Sequence, residues 1–135
     1  MSNLATVQAI YEAFGRGDIP FILSKLADDV KWEHWDDNTA VSSGKIPYLK
    51  PRTGRAGAGE FFESLASVDI QEFGVVNLME GGDQVCGLCQ INAVVKATGK
   101  RVRDSEIHLW TFNTSGQVTH FRHYVDTAKH LAAHG

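Results

Sequence analysis

The second half of the chain places the tightest constraint on the fold. Between Val68 and Val125, three turn signals, EGGD (Glu80–Asp83), ATGK (Ala97–Lys100) and NTSGQ (Asn113–Gln117), separate four long runs of strand-like composition. Glycine with Asp, Asn, Thr or Ser at each break is the chemistry of tight reversals. The runs near Val68–Met79, Gln84–Lys96, Arg101–Thr114 and Val118–Val125 are therefore expected to pair in order as an antiparallel meander. In the second run Cys89, Ile91, Ala93 and Val95 alternate onto one apolar face, with Gln90 and Asn92 opposite. Strands this long in a chain of 135 residues have to curl around whatever covers them.

The covering layer is legible in the first half. Leu4, Val7, Ile10, Tyr11 and Phe14 recur at helical spacing, and GRGD (Gly15–Asp18) ends that run. Asp18 is placed to cap a second short helix with Pro20 in its first turn and Ile19, Ile22, Leu23 and Leu26 on its apolar side. ADDVKWEHWDDN (Ala27–Asn38) reads as an opening strand, followed by a loop over residues 36–55 rich in Asp, Ser, Gly and Pro. Ala56–Ser67 reads as a third helix, weakened in its first turn by Gly57 and Gly59. The final DTAKHLAAHG is either a short helix capped by Asp126 or a frayed tail. The expected fold is α+β: a single domain over 1–135 in which a cone-shaped, curved antiparallel sheet packs on three helices from the N-terminal half.

Charge excludes several function classes. A net charge of −3 with pI near 6.0 leaves no electrostatic footprint for nucleic acid, and KPRTGR (Lys50–Arg55) is the sole basic cluster. No apolar stretch approaches the length of a membrane span, and MSNLATVQAIYEAF lacks the pattern of a secretory leader. A cytoplasmic location is expected. Cys86 and Cys89 stand three apart in a strand and so face opposite sides, which suits two small buried residues better than a redox pair.

The candidate chemistry rests on histidine. In the opening strand Val30, Trp32 and His34 point one way, and Lys31, Glu33 and Trp35 the other. In the third long run Glu106, His108, Trp110 and Phe112 share a face; in the last, Phe121, His123 and Val125 do. If the cone forms, His34, His108 and His123 all enter one cavity walled by Tyr11, Phe14, Trp32, Phe61, Phe62, Ile91, Val95 and Trp110. An apolar cavity with a few polar groups is the usual form of a small-molecule site. His34, desolvated against tryptophan, would serve as a neutral base, and His108 would donate a hydrogen bond to a carbonyl oxygen becoming an enolate. Each histidine also has a plainer explanation as a hydrogen-bonded core residue. Glu106 either orients an imidazole or faces a subunit boundary. Without a His-x-His or His-x-x-x-His pair among the three, no metal is expected.

AIYEAFGRGDI, LADDVKWEH, TGRAGAGEFFESL and WTFNTSGQVTHFRHYVD resemble the nuclear transport factor 2-like superfamily across nearly the whole chain. The nearest echoes are ketosteroid isomerases, SnoaL-like polyketide cyclases and limonene-epoxide-hydrolase-like proteins. By that resemblance His34 stands where ketosteroid isomerases carry their general-base aspartate, and His108 where they carry the protonated aspartate of the oxyanion hole. Their oxyanion-hole tyrosine falls on Ile10, with Tyr11 one residue along, a rotation of about 100° on a helix. His123 aligns with a catalytic aspartate of the epoxide hydrolases, whose accompanying Arg and Asp have no match in GLCQINAVV. The resemblance implies a small hydrophobic carbonyl compound as partner, no cofactor, and a homodimer through the outer face of the sheet. The implied reaction is isomerisation, cyclisation or dehydration. The alternatives are a ligand-binding or dimerisation module without turnover, and epoxide-hydrolase-like hydrolysis.

Overall fold

The computed structural model describes residues 2–135. Helix α1 (Asn3–Gly15) starts on Ser2, whose hydroxyl accepts from the Ala5 N–H, and helix α2 (Ile19–Ser24) starts on Asp18, whose carboxylate accepts from Phe21. Strand β1 (Leu26–Trp32) follows. Asp28 and Asp29 are exposed on it, and Asp28 pairs with Arg55 at 3.0 Å. The loop of residues 36–55 contains structure that composition did not announce: a short helix α3 (Thr39–Ser43) and a two-residue strand β2 (Arg52–Thr53). It also buries Ala40, Ile46, Tyr48 and Leu49, so it is wall rather than flap. Helix α4 (Gly54–Ser64) begins two residues earlier than expected and ends in a turn of 3₁₀ helix at Leu65–Ser67.

The meander is as expected: β3 (Val68–Gly81), β4 (Gln84–Val95), β5 (Arg101–Phe112) and β6 (Val118–Tyr124), antiparallel in order. The six-stranded sheet runs β2-β1-β6-β5-β4-β3 and stays open. One pairing departs from an all-antiparallel sheet: β1 lies parallel to β6, bringing Trp32 beside Phe121. The chain closes with helix α5 (Thr127–His134), capped by Asp126, which accepts from the Lys129 N–H at 3.2 Å; the tail is a helix. No helix of the described residues is long and apolar enough to cross a membrane.

The core lies between the concave face of the sheet and α1, α2 and α4. Trp32 is fully buried, stacked on Phe121 at 4.2 Å between centroids and tilted against Phe61 at 5.1 Å. Burying an aromatic ring of this kind contributes roughly 2–3 kcal/mol. Val95, expected as cavity wall, belongs to this core instead: it is buried near the end of β4 and is absent from the cavity lining. The strand pattern assigned its face correctly, but depth along the cone is a tertiary property.

Candidate active site

An apolar cavity of about 80 Å³ occupies the cone. Phe14, Phe62 and Phe73 are half-buried and line it where it approaches solvent, with Phe14 5.5 Å from Phe73 and 6.2 Å from Phe62 between centroids. Tyr11, Trp32, Phe61, Ile91, Trp110, His108 and His123 line it too, so these positions meet as expected. His34 does not join them.

The reason is one residue upstream. Glu33 adopts φ 60°, the left-handed region that a non-glycine residue rarely occupies. That step reverses the alternation of the strand. Glu33, which alternation sends outward, turns in and is fully buried, while its N–H still bonds the Phe121 carbonyl at 2.9 Å. His34 turns out of the cavity: its Nε2 meets the Arg52 carbonyl at 2.8 Å and Thr53 Oγ1 at 3.0 Å. Its own carbonyl accepts from Arg122 Nε at 3.0 Å and from Nη2. His34 ties β1, β2 and β6 together, and it cannot be the base inside the cone.

Glu33 takes up a different position: Oε1 accepts from the His123 backbone N–H at 2.7 Å and faces His123 Nδ1 at 2.5 Å, and Oε2 is buried without a partner among the described residues. A carboxylate on Nδ1 holds the proton there and leaves Nε2 of neutral His123 as a lone pair. Burial disfavours the His123 cation, but the charge of Glu33 and its hydrogen bond outweigh that and raise the pKa above 6.5.

A second array stands beside the first, the His108 and His123 rings meeting edge to face at 4.7 Å. On β5, His108 sits two residues from Glu106, with Nε2 3.4 Å from Oε1. Its Nδ1 meets the Tyr11 hydroxyl at 2.8 Å, and Trp110 Nε1 donates to the same hydroxyl at 3.1 Å. Cys89 Sγ lies 3.7 Å from both Tyr11 Oη and His108 Nδ1. Burial pulls the His108 pKa down, yet the hydrogen bonds with Cys89 and Glu106 raise it overall. Burial raises Tyr11, so it remains a neutral hydroxyl. With His108 protonated, both lone pairs of the tyrosine oxygen accept, from Trp110 and His108, and the hydroxyl proton is free to donate.

Glu106 is shared. Its Oε2 lies 3.5 Å from Nε2 of His130 on α5, which also bonds Asp104 at 3.0 Å; Tyr48 Oη meets His130 Nδ1 at 2.7 Å. Burial alone would raise the Glu106 pKa, but His108 and His130 hold it well below the usual carboxylate range. Glu106 therefore orients imidazoles and does not face a subunit boundary. Asp104, Glu106 and His130 each place one possible metal-ligand atom within 4.8 Å of the others. Hydrogen bonds to both nitrogens of His130 already account for that grouping. Of the two free cysteines expected to be buried, Cys89 is, while Cys86 is only half-buried.

Sequence reasoning passed over Glu33, Asp104, Tyr48 and His130. Asp104 and His130 carried a readable signal: Asp104 continues the inward alternation of Glu106, and His130 lies four residues after the Asp126 cap. Glu33 carried none, because its direction depends on a backbone angle.

The comparisons agree with this architecture. No curated protein matches the sequence significantly. Among solved structures, an NTF2-like protein of unknown function from Burkholderia pseudomallei is 26% identical with a TM-score of 0.81, covering 99% of this chain and 98% of that one. TerC, co-crystallised with polyporic acid, is 24% identical with a TM-score of 0.77 over 97% and 96%. A protein assigned as a SnoaL-like polyketide cyclase from Mesorhizobium loti is 21% identical with a TM-score of 0.71 over 92% and 99%. The SnoaL-like domain family matches residues 7–121, most of the chain, and the protein belongs to that family.

Proposed function

We propose that the protein binds a small hydrophobic carbonyl compound in the cone and moves a proton at the carbon next to its carbonyl. The observation that carries this reading is the meeting of two buried acid–base arrays, Glu33–His123 and Glu106–His108–Tyr11, on the wall of one apolar cavity. His123 Nε2 takes the proton from the α-carbon, and the electron pair left behind forms the enolate. The enolate oxygen accepts a hydrogen bond from the Tyr11 hydroxyl, which His108 and Trp110 hold in place. Returning the proton to another carbon completes an isomerisation, and attack of the enolate on a second carbonyl carbon completes a cyclisation. The co-crystal of TerC with polyporic acid and the cyclase assignment of the Mesorhizobium loti protein support a carbonyl-bearing ligand.

The cavity is small for such a ligand. An engineered apolar cavity of about 150 Å³ accommodates benzene, so a two-ring ligand requires the half-buried Phe14, Phe62 and Phe73 to move apart. A second reading, binding without turnover, draws on the computationally designed 17-OHP binder, which is 16% identical with a TM-score of 0.69.

The test is deuterium uptake next to the carbonyl of small aryl ketones such as α-tetralone in D₂O, followed by proton NMR. Exchange is expected with the intact chain, with a loss of about 10²-fold or more in His123→Ala, and unchanged exchange in His34→Ala. Equal rates in the intact chain and His123→Ala would overturn the base assignment. Fluorescence of Trp32 and Trp110 on adding 2-naphthol separates the readings, since binding without exchange supports the module. The same reading pairs two copies through the outer face of the sheet, where Val76 and Met79 are 57% and 47% exposed. Sedimentation at twice the chain mass is the expected result, and a monomer at all concentrations would remove that pairing.

A further inference from the structure

Tyr11 stands one helical position beyond Ile10, yet its hydroxyl reaches the acid–base array. What admits it lies on the strand opposite. Gly87, mid-strand in β4, pairs with His108 on β5 and Leu78 on β3. A Cβ placed there would lie 2.7 Å from the Tyr11 hydroxyl oxygen, against 3.4 Å for the nearest atoms of the Leu78 side chain and of the Tyr11 ring. Only the hydroxyl contact is prohibitive. The tyrosine has little room to withdraw, because Trp110 and His108 hold its oxygen and the Phe73, His108 and Trp110 rings surround its own at centroid distances of 5.8–6.1 Å.

Backbone freedom does not explain a glycine here. Six glycines take positive φ, and Gly87 is not among them, so alanine fits its backbone without strain. Glycine inside a strand is otherwise unfavourable, and such a residue often marks a close approach by another group. Here that group is a hydroxyl.

We infer that Gly87 is a positioning residue for the oxyanion donor: its missing side chain is the slot that seats the Tyr11 hydroxyl against His108 and Trp110. The inference rests on the donor role proposed for Tyr11. It also accounts for a tyrosine displaced by one position serving the same cavity, since the slot sits where the rotated side chain arrives.

A four-variant thermal cycle tests it: the intact chain, Gly87→Ala, Tyr11→Phe and the double variant. Gly87→Ala is expected to lower the melting temperature when residue 11 is Tyr. With Phe at residue 11 the same change is expected to have no cost or to raise it, because the clashing oxygen is gone. If Gly87→Ala alone does not fold, the double variant still should. A second readout is the titration of the His108 imidazole by NMR, expected to move in Gly87→Ala to where it lies in Tyr11→Phe. An equal loss of stability in both backgrounds, or a His108 titration unmoved by Gly87→Ala, would overturn the assignment. Neither readout involves ligand or turnover, so a chain inactive towards ketones would count against the proposed reaction and not against the slot.

Discussion

The two buried arrays use histidine in opposite ways. In the Glu106–His108–Tyr11 array both ring nitrogens are engaged, one by a carboxylate and one by a hydroxyl. In the Glu33–His123 array the carboxylate engages Nδ1, and among the described residues Nε2 has no hydrogen-bond partner. A fully engaged imidazole is suited to hold its proton and fix a neighbour, while one with a free nitrogen is suited to exchange a proton with a ligand. Two histidines 4.7 Å apart thus receive different roles from what stands behind them.

Removing the carboxylates should separate these roles. Glu33→Ala is expected to have the largest effect, leaving the Nδ1 and backbone N–H of His123 unpaired in a fully buried place. Breaking a buried pair of this kind costs about 3 kcal/mol or more, readable by urea denaturation, and ketone exchange should fall with it. A cost near zero would mean that the Glu33–His123 contact is not a stabilising pair.

Glu106→Gln is expected to matter less to exchange, by about tenfold, because it acts on the enolate oxygen only through His108 and Tyr11. Should the two substitutions slow exchange equally, the division between proton exchanger and donor array would fail.

The smallest and most diagnostic effect is in pH. The folded chain raises His108, His123 and His130 above 6.5, so their contribution to stability is complete below that value and fades as pH climbs through the raised values. Glu106 is lowered from 4.5, so its contribution is complete above that value and fades on acidification below it. Stability is therefore expected to peak between about pH 4.5 and 6.5. The fall on the alkaline side should become shallower when the array histidines are replaced one at a time by Gln. A maximum above pH 8 would contradict the charged arrays.

Much of this was legible before any coordinates. Turn chemistry and alternation placed His108, Trp110, Phe121 and His123 on the inner face, because a strand in a meander has no means of changing sides without a break. Helical spacing placed Tyr11 and Phe14 on the buried side of α1, and the apolar residues of α4 put Phe61 and Phe62 against the sheet. The same rule misplaced His34 and Glu33, since alternation is blind to a single residue at φ 60°. It also failed to foresee that a parallel partner, β6, would fill the place beside β1.

What the sequence by itself determined is the α+β class, the order of the long strands and the inward face of β4, β5 and β6, all of which follow from local stereochemistry. Tertiary structure alone decided which groups meet. It turned Glu33 inward beneath His123, brought His130 to Glu106 from the far end of the chain, and fitted the Tyr11 hydroxyl into the gap at Gly87. Those are distances between residues far apart in the chain, and no local periodicity encodes them.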